Sequence, residues 1–507
     1  MHLRARAAGL TLVLVCLISL GTIILRAVLI EKPRAPSKCT STDNDFISET
    51  RGLSLRLAEA IRFRTISWAV QKYEREELKK FGEFIRKSFP LIHSAPYVNR
   101  EVINELSLLY TVKGTDSSLK PYLLAGHLDV VPVDSNLWEV PPFDGRVVNK
   151  TYVYGRGTID AKHIVMGILE ALEFLLEKGY QPKRSFYIAF GHDEEVTGVD
   201  GAAQISKVLQ ERGVQLEYIL DEGMMVLNGT IPGVDVPVAT VGVTEKGSLS
   251  VKLTVNGTPG HSSFPPPETA IVVLAKALSK LEGSCHPSMF GKGPERTMLE
   301  ALAPYASFPF KVVYSNIWFF SPLLSWFLSL KPHSNALLRT TTSVTMVSGG
   351  VKLNVIPTSA SAVVNHRIHP AQTVAEVLEY DQNLIDDQRV EIEVLDATEP
   401  HPVSPHGDDV FGFQTLRKSI YQIFPGSAVA PTMLIANTDT RWYLSLSKVI
   451  YRFSPINILP KDLSLIHGNN ERISINNYEQ VVNFYYHMMI NSDEEKLEDK
   501  HEHGDEL

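Results

Sequence analysis

Cysteine is scarce in this chain of 507 residues, which contains only three. A chain of this length can bury a large core and does not need a disulfide framework. Cys16 falls inside an apolar N-terminal segment, which leaves Cys39 and Cys285. The sequence does not decide whether these two form one disulfide or stay free.

An excess of basic residues is also missing, because the formal net charge is −8. Without a basic stripe to displace counterions from phosphates, nucleic acid is excluded as a partner. The remaining composition, 44% hydrophobic and 21% charged, is that of an ordinary globular protein. The length exceeds what one core usually supports, so we expect at least two domains.

The first thirty residues have the layout of a targeting segment. Arg4 and Arg6 precede an uncharged apolar stretch over residues 7–25, and Arg26 follows it. This pattern predicts a signal peptide or a signal anchor, and no small-x-small cleavage site decides between the two. In either case we expect the body of the chain to face the secretory lumen, and cleavage would make the protein secreted. The sequons at Asn149, Asn228 and Asn256 are candidate glycosylation sites in that compartment.

The C-terminal end, residues 491–507, is predicted to be a solvated acidic tail. It ends in "GDEL", which is similar to a lumenal retrieval signal but has Gly504 where Lys or His is usual. Retention in the endoplasmic reticulum is therefore a minor alternative to secretion.

Apolar runs and helical patterns divide the body of the chain into an α/β protein with an insertion. A polar linker over residues 31–50 precedes alternating strand-like and helix-like segments over residues 51–241, including a helix over residues 162–178. From 242 to 395 the strands alternate every second residue, as in a smaller inserted domain with an antiparallel sheet. The α/β pattern then returns over residues 396–490.

The inserted domain contains an apolar segment over about residues 283–340. Its stretch 312–330 carries no charge, but Pro322, Asn316 and four serines disfavour a membrane span. Two interpretations remain. The segment is either a buried helix pair, or an exposed apolar surface that contacts a hydrophobic substrate, a lipoprotein or a membrane.

Histidines and carboxylates gather where the predicted strands end. They comprise His127 and Asp129 in "GHLDVVP", Asp160 in "GRGTIDAK", Glu194 and Glu195 in "GHDEE", Asp221 in "ILDEG", and His467 in "HGNNERI". Open α/β sheets bind ligands at this edge, and bound cations remove the repulsion among clustered carboxylates. His and carboxylate ligands without cysteine favour zinc, and a pair of zinc ions can activate water for amide hydrolysis.

The adjacent residues Glu194 and Glu195 are expected to have different roles. On an extended segment neighbouring side chains point in opposite directions, so one carboxylate can bind metal while the other faces the attacking water. Such a pair is needed because the water must give up a proton.

Five motifs in order, "GHLDVVP", "GRGTIDAK", "DEEVTG", "GTPGHSS" and "HGNNERI", resemble those of the zinc-dependent aminoacylase and carboxypeptidase G family, which includes yeast carboxypeptidase S. The resemblance covers most of residues 55–490. It implies a di-zinc exopeptidase-like catalytic domain with an inserted α+β lid of the dimerisation type. It is strongest to a secreted branch with a long apolar insert, whose substrates are N-fatty-acyl amino acids.

The resemblance also implies roles for individual residues. Two Zn²⁺ per subunit are expected, with His127 and Asp221 on one, Glu195 and His467 on the other, and Asp160 bridging them. Glu194 would be the general base. Asp129 would orient His127, and the Asp160–Ala161 peptide would be cis.

The lid supplies further candidates. By resemblance, His261 in "GTPGHSS" stabilises the oxyanion, often across a homodimer interface. Asn354, Arg367 and Arg441 are candidate substrate-binding residues, since a guanidinium binds a substrate carboxylate in a bidentate manner. The two arginines could equally form structural ion pairs.

The expected function is therefore hydrolysis of N-fatty-acyl amino acids, and their condensation from fatty acid and amino acid in reverse. The first alternative is an exopeptidase that acts on dipeptides with the same metal ligands. The second is an inactive carrier of lipids or amphiphiles that kept the fold without the chemistry.

Overall fold

The computed structural model describes residues 2–33 and 46–494. Most of the predicted linker, Cys39 and the tail from residue 495 onward, with its "GDEL" end, lie outside this part of the chain. Within it, Cys285 is a free, exposed cysteine.

The described part contains fifteen α-helices: α1 (His2–Leu29), α2 (Leu53–Ile61), α3 (Arg75–Ser88), α4 (Pro90–Ser94), α5 (Lys162–Glu177), α6 (Ala202–Glu211), α7 (Ala270–Gly283), α8 (Glu295–Leu302), α9 (Phe310–Ser315), α10 (Ile317–Ser329), α11 (Pro332–Ala336), α12 (Val374–Ile385), α13 (Phe411–Ile423), α14 (Thr440–Tyr443) and α15 (Ile475–Ser492). Its strands are β1 (Ser67–Ala69), β2 (Lys72–Tyr73), β3 (Val98–Ile103), β4 (Ser107–Val112), β5 (Tyr122–His127), β6 (Arg146–Val148), β7 (Tyr152–Tyr154), β8 (Phe186–Gly191), β9 (Ile219–Leu227), β10 (Val238–Glu245), β11 (Gly247–Asn256), β12 (Gly260–His261), β13 (Thr341–Gly349), β14 (Val355–Ile356), β15 (Ser359–Ile368), β16 (Val390–Thr398), β17 (Ala428–Leu434), β18 (Ile450–Ile458) and β19 (Arg472–Ser474).

An eight-stranded mixed sheet confirms the predicted α/β class. Its order is β17-β10-β18-β9-β5-β8-β4-β3. Strands β18, β9, β5 and β8 are parallel neighbours, whereas β4 and β3 extend the sheet antiparallel. The chain reaches β17 and β18 only after the inserted strands, so this sheet combines segments from both sides of the insertion.

Helices cover both faces of this sheet, which explains its uniformly apolar central strands. One face packs against α2, α5, α13 and α15 through side chains such as Leu169 and Val482. The other packs against α6 and α14 through Ile205 and Tyr443. All six residues of β5 are buried, so its last residue, His127, emerges at the carboxyl edge of a rigid element.

The insertion forms a second, four-stranded antiparallel sheet of order β13-β15-β11-β16. Its strand β11 alternates buried and partly exposed residues, as its sequence predicts. The buried face packs against α7 and α12. The other face of the sheet is partly exposed.

The apolar segment does not form a single continuous helix. It breaks at Asn316 into α9 and α10, and the buried side chains Tyr314, Ile317 and Leu324 pack against Ala428 of β17. The segment therefore covers an edge of the eight-stranded sheet. Its other side is exposed through Trp318, Phe319, Leu323, Trp326, Phe327 and Leu330. One side of the segment is therefore packed, and the other is an exposed apolar surface.

The N-terminal helix α1 lies against this segment. Ile23 and Ala27 are buried, and the buried side-chain amide of Asn316 donates a hydrogen bond to the carbonyl oxygen of Ile23 at 2.9 Å. Across residues 2–33 and 46–494, no helix is both long enough and apolar enough to span a bilayer.

Candidate active site

Asp160 lies between two histidines at the carboxyl edge of the large sheet. Its Oδ1 is 3.0 Å from His127 Nε2, and its Oδ2 is 2.9 Å from His467 Nε2. His127 ends β5, whereas His467 lies in the loop before β19 with a positive φ of 56°. The Asp160–Ala161 peptide that precedes α5 is cis, as the sequence resemblance implies.

Each histidine has a second carboxylate beside it. Glu222 Oε2 lies 3.3 Å from His127 Nε2, and Glu195 Oε2 lies 3.3 Å from His467 Nε2. Tetrahedral zinc, with ligand distances of 2.0–2.2 Å, separates its ligand atoms by about 3.3 Å. His127, Asp160 and Glu222 form one group of suitable ligands, and Asp160, Glu195 and His467 form another.

In this arrangement Glu222, the neighbour of the expected ligand Asp221, is the carboxylate that lies beside His127. Both residues belong to β9, and adjacent residues of a strand point to opposite faces. Asp221 is buried and accepts a hydrogen bond from the Glu222 amide nitrogen at 2.9 Å. Both faces of this sheet are covered, so burial alone could not have identified the residue that faces the site.

Asp129 orients His127, in line with its expected position. The Nδ1 of His127 lies 3.0 Å from the carbonyl oxygen of Asp129 and 3.3 Å from its carboxylate. A carbonyl oxygen only accepts, so Nδ1 carries the proton and Nε2 presents its lone pair to the site. The Asp129 carboxylate also accepts hydrogen bonds from the amide nitrogens of Glu194 and Glu195, at 3.1 and 3.3 Å.

The Glu194–Glu195 pair sits in a short 3₁₀ turn, Glu194–Val196, and the extended geometry expected from sequence is wrong. The two carboxylates nevertheless diverge. Glu195 faces His467, and Glu194 Oε1 lies 3.7 Å from Arg441 Nη2. Their side chains are only 11% and 5% exposed, which rules out an ordinary solvated turn.

The electrostatics of the site call for a cation. Burial, followed by the charge of Asp160, raises the pKa of Glu195 to about 7. Burial likewise raises the pKa of Glu222 to about 7, and that of Glu194 rises well above its usual value through burial and the charge of Glu222. The buried Oε1 of Glu195 has no hydrogen-bond partner among the described residues. Oxygen and imidazole donors in this state fit a pair of metal ions.

Arg441 lies beside Glu194, and Arg367 lies close enough to Arg441 for their charges to interact. Arg367 of β15 donates a hydrogen bond from Nη1 to Asn437 Oδ1 at 2.7 Å, and burial together with the charge of Arg441 lowers its pKa. Arg367 has no ion pair with a carboxylate in the described part of the chain, so its interpretation as a structural ion pair is not supported there. Among residues 2–33 and 46–494, the side chain of Arg441 contacts Glu194 at 3.7 Å and donates a hydrogen bond to the Thr438 carbonyl oxygen at 3.0 Å.

A buried network that sequence reasoning missed holds the loop before Arg441. Glu245 accepts hydrogen bonds from the hydroxyls of Thr438 and Thr440, at 2.6 and 2.8 Å, and from Arg452 at 2.8 Å. Glu245 and Arg452 are fully buried and belong to neighbouring strands β10 and β18. Two features of the sequence could have indicated this network. Glu245 ends one apolar strand pattern, and Arg452 lies inside another.

His261 and Asn354 lie together in the inserted part but apart from these groups. His261 belongs to β12, which pairs with β14, and the Ser262 amide donates to the Asn354 carbonyl oxygen at 3.1 Å. Both residues are exposed. Within the described chain, the ring of His261 accepts its hydrogen bond from the Ser263 amide.

Comparison with known proteins identifies the family of this chain. Residues 123–491 match the model of peptidase family M20/M25/M40. The N-fatty-acyl-amino acid synthase/hydrolase PM20D1 of Xenopus tropicalis is 46% identical over 98% of both chains, and carboxypeptidase S of Saccharomyces cerevisiae is 33% identical over 81% of this chain and 78% of its own.

Solved structures show the same fold at low sequence identity. The M20 family metallo-carboxypeptidase Sso-CP2 from Sulfolobus solfataricus aligns with a TM-score of 0.64 at 17% identity, over 87% of this chain and 99% of its own. Human carnosine dipeptidase 1 aligns with a TM-score of 0.60 at 13% identity, over 88% and 96%. The family match spans well over half of the chain, and this chain therefore belongs to peptidase family M20/M25/M40.

Proposed function

We propose that this chain is a metal-dependent amidohydrolase that hydrolyses N-fatty-acyl amino acids and, in reverse, condenses a fatty acid with an amino acid. The observation that carries the proposal is the position of Asp160, with one carboxylate oxygen beside His127 and the other beside His467. The substrate class rests on the synthase/hydrolase relatives, which align over nearly the whole chain.

Two zinc ions per subunit are the proposed cofactors. His127 and Glu222 would hold one, Glu195 and His467 the other, and Asp160 would bridge them. When bound, such a pair lowers the pKa of water and polarises a carbonyl oxygen. Two observations support zinc at this site. All the proposed ligand atoms are nitrogen or oxygen, and the buried Oε1 of Glu195 has no hydrogen-bond partner in the described chain.

Glu194 is the proposed general base and acid. Burial raises its pKa above that of an ordinary carboxyl group, which makes it a stronger base, so it can take the proton of the attacking water and deliver it to the leaving amine. The Asp129 carboxylate fixes the Glu194 backbone through the 3.1 Å hydrogen bond, which keeps this group in place through both transfers.

Arg367 and Arg441 would bind the carboxylate of the amino-acid head group. Their two positive charges lie close enough to affect each other, and a bound carboxylate would relieve that repulsion. Because Arg441 also approaches Glu194, this position places the scissile amide next to the proposed base.

The inserted residues 242–395 would act as a lid and dimerisation domain. The exposed His261 would reach the oxyanion of a second copy, with Asn354 beside it. Exposed apolar side chains around this loop and on the edge strand β13 support a homodimer: Phe264, Met346, Val347, Val351 and Leu353.

The exposed aromatic side of α10 would meet a lipid or lipoprotein surface. Trp318 and Trp326 are more than half exposed, as are several leucines and valines of the neighbouring α1. Such a surface would bring the enzyme to amphiphilic substrates. Secretion would fit this role, with the exposed Asn149 and Asn256 as glycosylation sites; the side-chain amide of Asn228 is engaged by Asn457.

Turnover of oleoyl-phenylalanine by the purified full chain tests the function. We expect activity that a chelator removes and zinc restores, and that Glu194→Gln lacks. Glu83→Gln, in an exposed ion pair, is the matched control and should keep full activity. Zinc content should be the same in all three proteins.

Other outcomes separate the alternatives. Cleavage of dipeptides with no turnover of oleoyl-phenylalanine would identify an exopeptidase. Binding of oleoyl-phenylalanine by wild type and Glu194→Gln alike, with no turnover of either substrate class, would identify a carrier.

A further inference from the structure

A second group of buried metal-ligating side chains lies within the inserted part, apart from the Asp160 site. It consists of His286, His366 and Asp381, whose ligand atoms all lie within 4.8 Å of one another. The three side chains are 2%, 0% and 1% exposed. We name this group the lid cluster.

The lid cluster interrupts two apolar patterns. His366 occupies a buried position of β15, where the other inward residues are Ala360, Ala362, Val364 and Ile368. Asp381 lies on the buried stripe of α12 between Val377 and Ile385. Packing alone would place an aliphatic residue at both positions, so the polar groups require another explanation.

Hydrogen bonding inside the protein does not supply that explanation. Both ring nitrogens of His286, Nε2 of His366 and both carboxylate oxygens of Asp381 are buried without a hydrogen-bond partner in the described chain. His366 Nε2 and Asp381 Oδ2 are 2.9 Å apart, but they are not aligned for a hydrogen bond. Each unsatisfied buried group lowers the stability of the fold, because it has lost its hydrogen bonds to water without a replacement.

The surroundings hold the ligands in a state that binds metal. Thr342 Oγ1 lies 3.1 Å from His366 Nδ1, which directs Nε2 toward Asp381. The ring of Tyr380 packs against that of His286 with 4.2 Å between centroids, and Arg339 donates a hydrogen bond to the His286 carbonyl oxygen at 2.7 Å.

We propose that the lid cluster binds a single Zn²⁺ ion, independent of the proposed catalytic function. Two histidines and one carboxylate are a common zinc ligand set, and a water would complete the tetrahedron. Zinc spaces its ligand atoms by about 3.3 Å, so the three side chains would draw together from separations of up to 4.8 Å when the ion binds. Lys246 and Arg339 face His286 with positive charge, and the Asp381 carboxylate offsets them.

The site would join three elements of the lid. His286 stands just after α7, where the apolar segment begins, while His366 and Asp381 belong to β15 and α12. Arg367, the next residue of β15, points to the opposite face of the sheet and toward Asn437. The metal would therefore brace the strand that presents this proposed substrate ligand.

Zinc counting by elemental mass spectrometry tests the site in a background without the proposed catalytic centre. The full chain carrying both His127→Ala and His467→Ala should retain about one zinc per chain after dialysis against metal-free buffer. Adding Asp381→Asn or His366→Gln should remove it, at least tenfold. Adding His369→Gln, a buried histidine of the lid outside the cluster, should leave it bound.

Thermal unfolding of the His127→Ala, His467→Ala protein provides a second test, which does not depend on whether the further variants fold. A strong chelator should lower its melting temperature by several degrees, and zinc should restore it. A background that retains no zinc, or an unchanged melting temperature with chelator, would overturn the proposal. Equal zinc in the Asp381→Asn and His369→Gln proteins would also overturn it. Failure of the oleoyl-phenylalanine assay would not affect these measurements.

Discussion

Arg156 and Glu471 form a buried ion pair, with 2.6 Å between Nη1 and Oε2. Glu471 Oε1 also accepts hydrogen bonds from the amide nitrogens of Ile159 and Asp160, at 2.6 and 3.1 Å. Arg156 Nη2 donates to the carbonyl oxygen of His467 at 3.1 Å. The pair therefore fixes the two loops that carry Asp160 and His467 relative to each other.

Replacement of Glu471 by Gln should weaken both folding and metal binding. Arg156 would become a buried charge without a partner, at a cost of about 3–5 kcal/mol in the free energy of unfolding. Metal affinity should fall by about 10–100-fold, because the loops lose their common support. Denaturant unfolding and chelator competition measure the two effects. Glu83→Gln should change stability by less than about 0.5 kcal/mol; equal behaviour of the two variants would refute the bracing role.

Glu222→Gln and Asp221→Asn distinguish the two neighbouring carboxylates. We expect the Glu222 variant to lose one metal of the catalytic pair and nearly all activity, because an amide is a poor substitute for a carboxylate ligand. Asp221→Asn should keep the metal content of the wild type. Elemental analysis after dialysis provides the readout, and the opposite pattern would return Asp221 to the ligand set.

Arg367→Lys tests recognition of the substrate carboxylate. A lysine keeps the charge but cannot form the bidentate pair, so KM for oleoyl-phenylalanine should rise by about 10–100-fold. The corresponding amide, which lacks the carboxylate, should be turned over equally by both enzymes. Arg389→Lys, in an exposed ion pair of the same lid, is the control. A uniform loss with both substrates would indicate a structural role for Arg367.

Lys246→Met tests the cost of a buried lysine. Burial, and then the charge of Arg367, lowers the pKa of Lys246 to about 7, although its ammonium group reaches the carbonyl oxygen of Arg339 at 2.7 Å. Between pH 7 and the unfolded value near 10.5, the unfolded state binds the additional proton, so stability conferred by this group rises with pH. The free energy of unfolding can rise through this group by at most about 1.4 kcal/mol per pH unit.

The stability of wild type relative to Lys246→Met should therefore increase from pH 7 toward pH 10, in denaturant unfolding of metal-free protein. Lys207→Met, at an exposed position of α6, should show a difference that does not vary with pH. A constant difference for Lys246→Met as well would mean that Lys246 keeps its proton in the folded protein.

The sequence was sufficient to predict the α/β class and to place His127, Asp160, Glu195 and His467 at one edge of the sheet, because each follows a strand or a Gly-rich loop. It could not separate Asp221 from Glu222, since β9 is covered on both faces and alternation alone does not define which side chain faces the site. Glu471 lies within a recognisable motif, but its role depends on a loop distant in sequence. In the sequence, the lid cluster corresponds only to single polar residues, such as His366 and Asp381, within apolar patterns. Such residues occur for many reasons, so they did not indicate a metal site.

The span of the Arg156–His467 contact, 311 residues, has a consequence for biosynthesis. Strand β18 lies between most of β10 and β9, which pair directly at Val238 and Ala239, so the central sheet is incomplete until residues 450–458 have left the ribosome. The lid, in contrast, pairs strands that all precede residue 399 and can fold earlier. In the nascent chain the lid would therefore fold before the catalytic sheet is complete. Metal binding at Asp160 would then be one of the last steps of maturation.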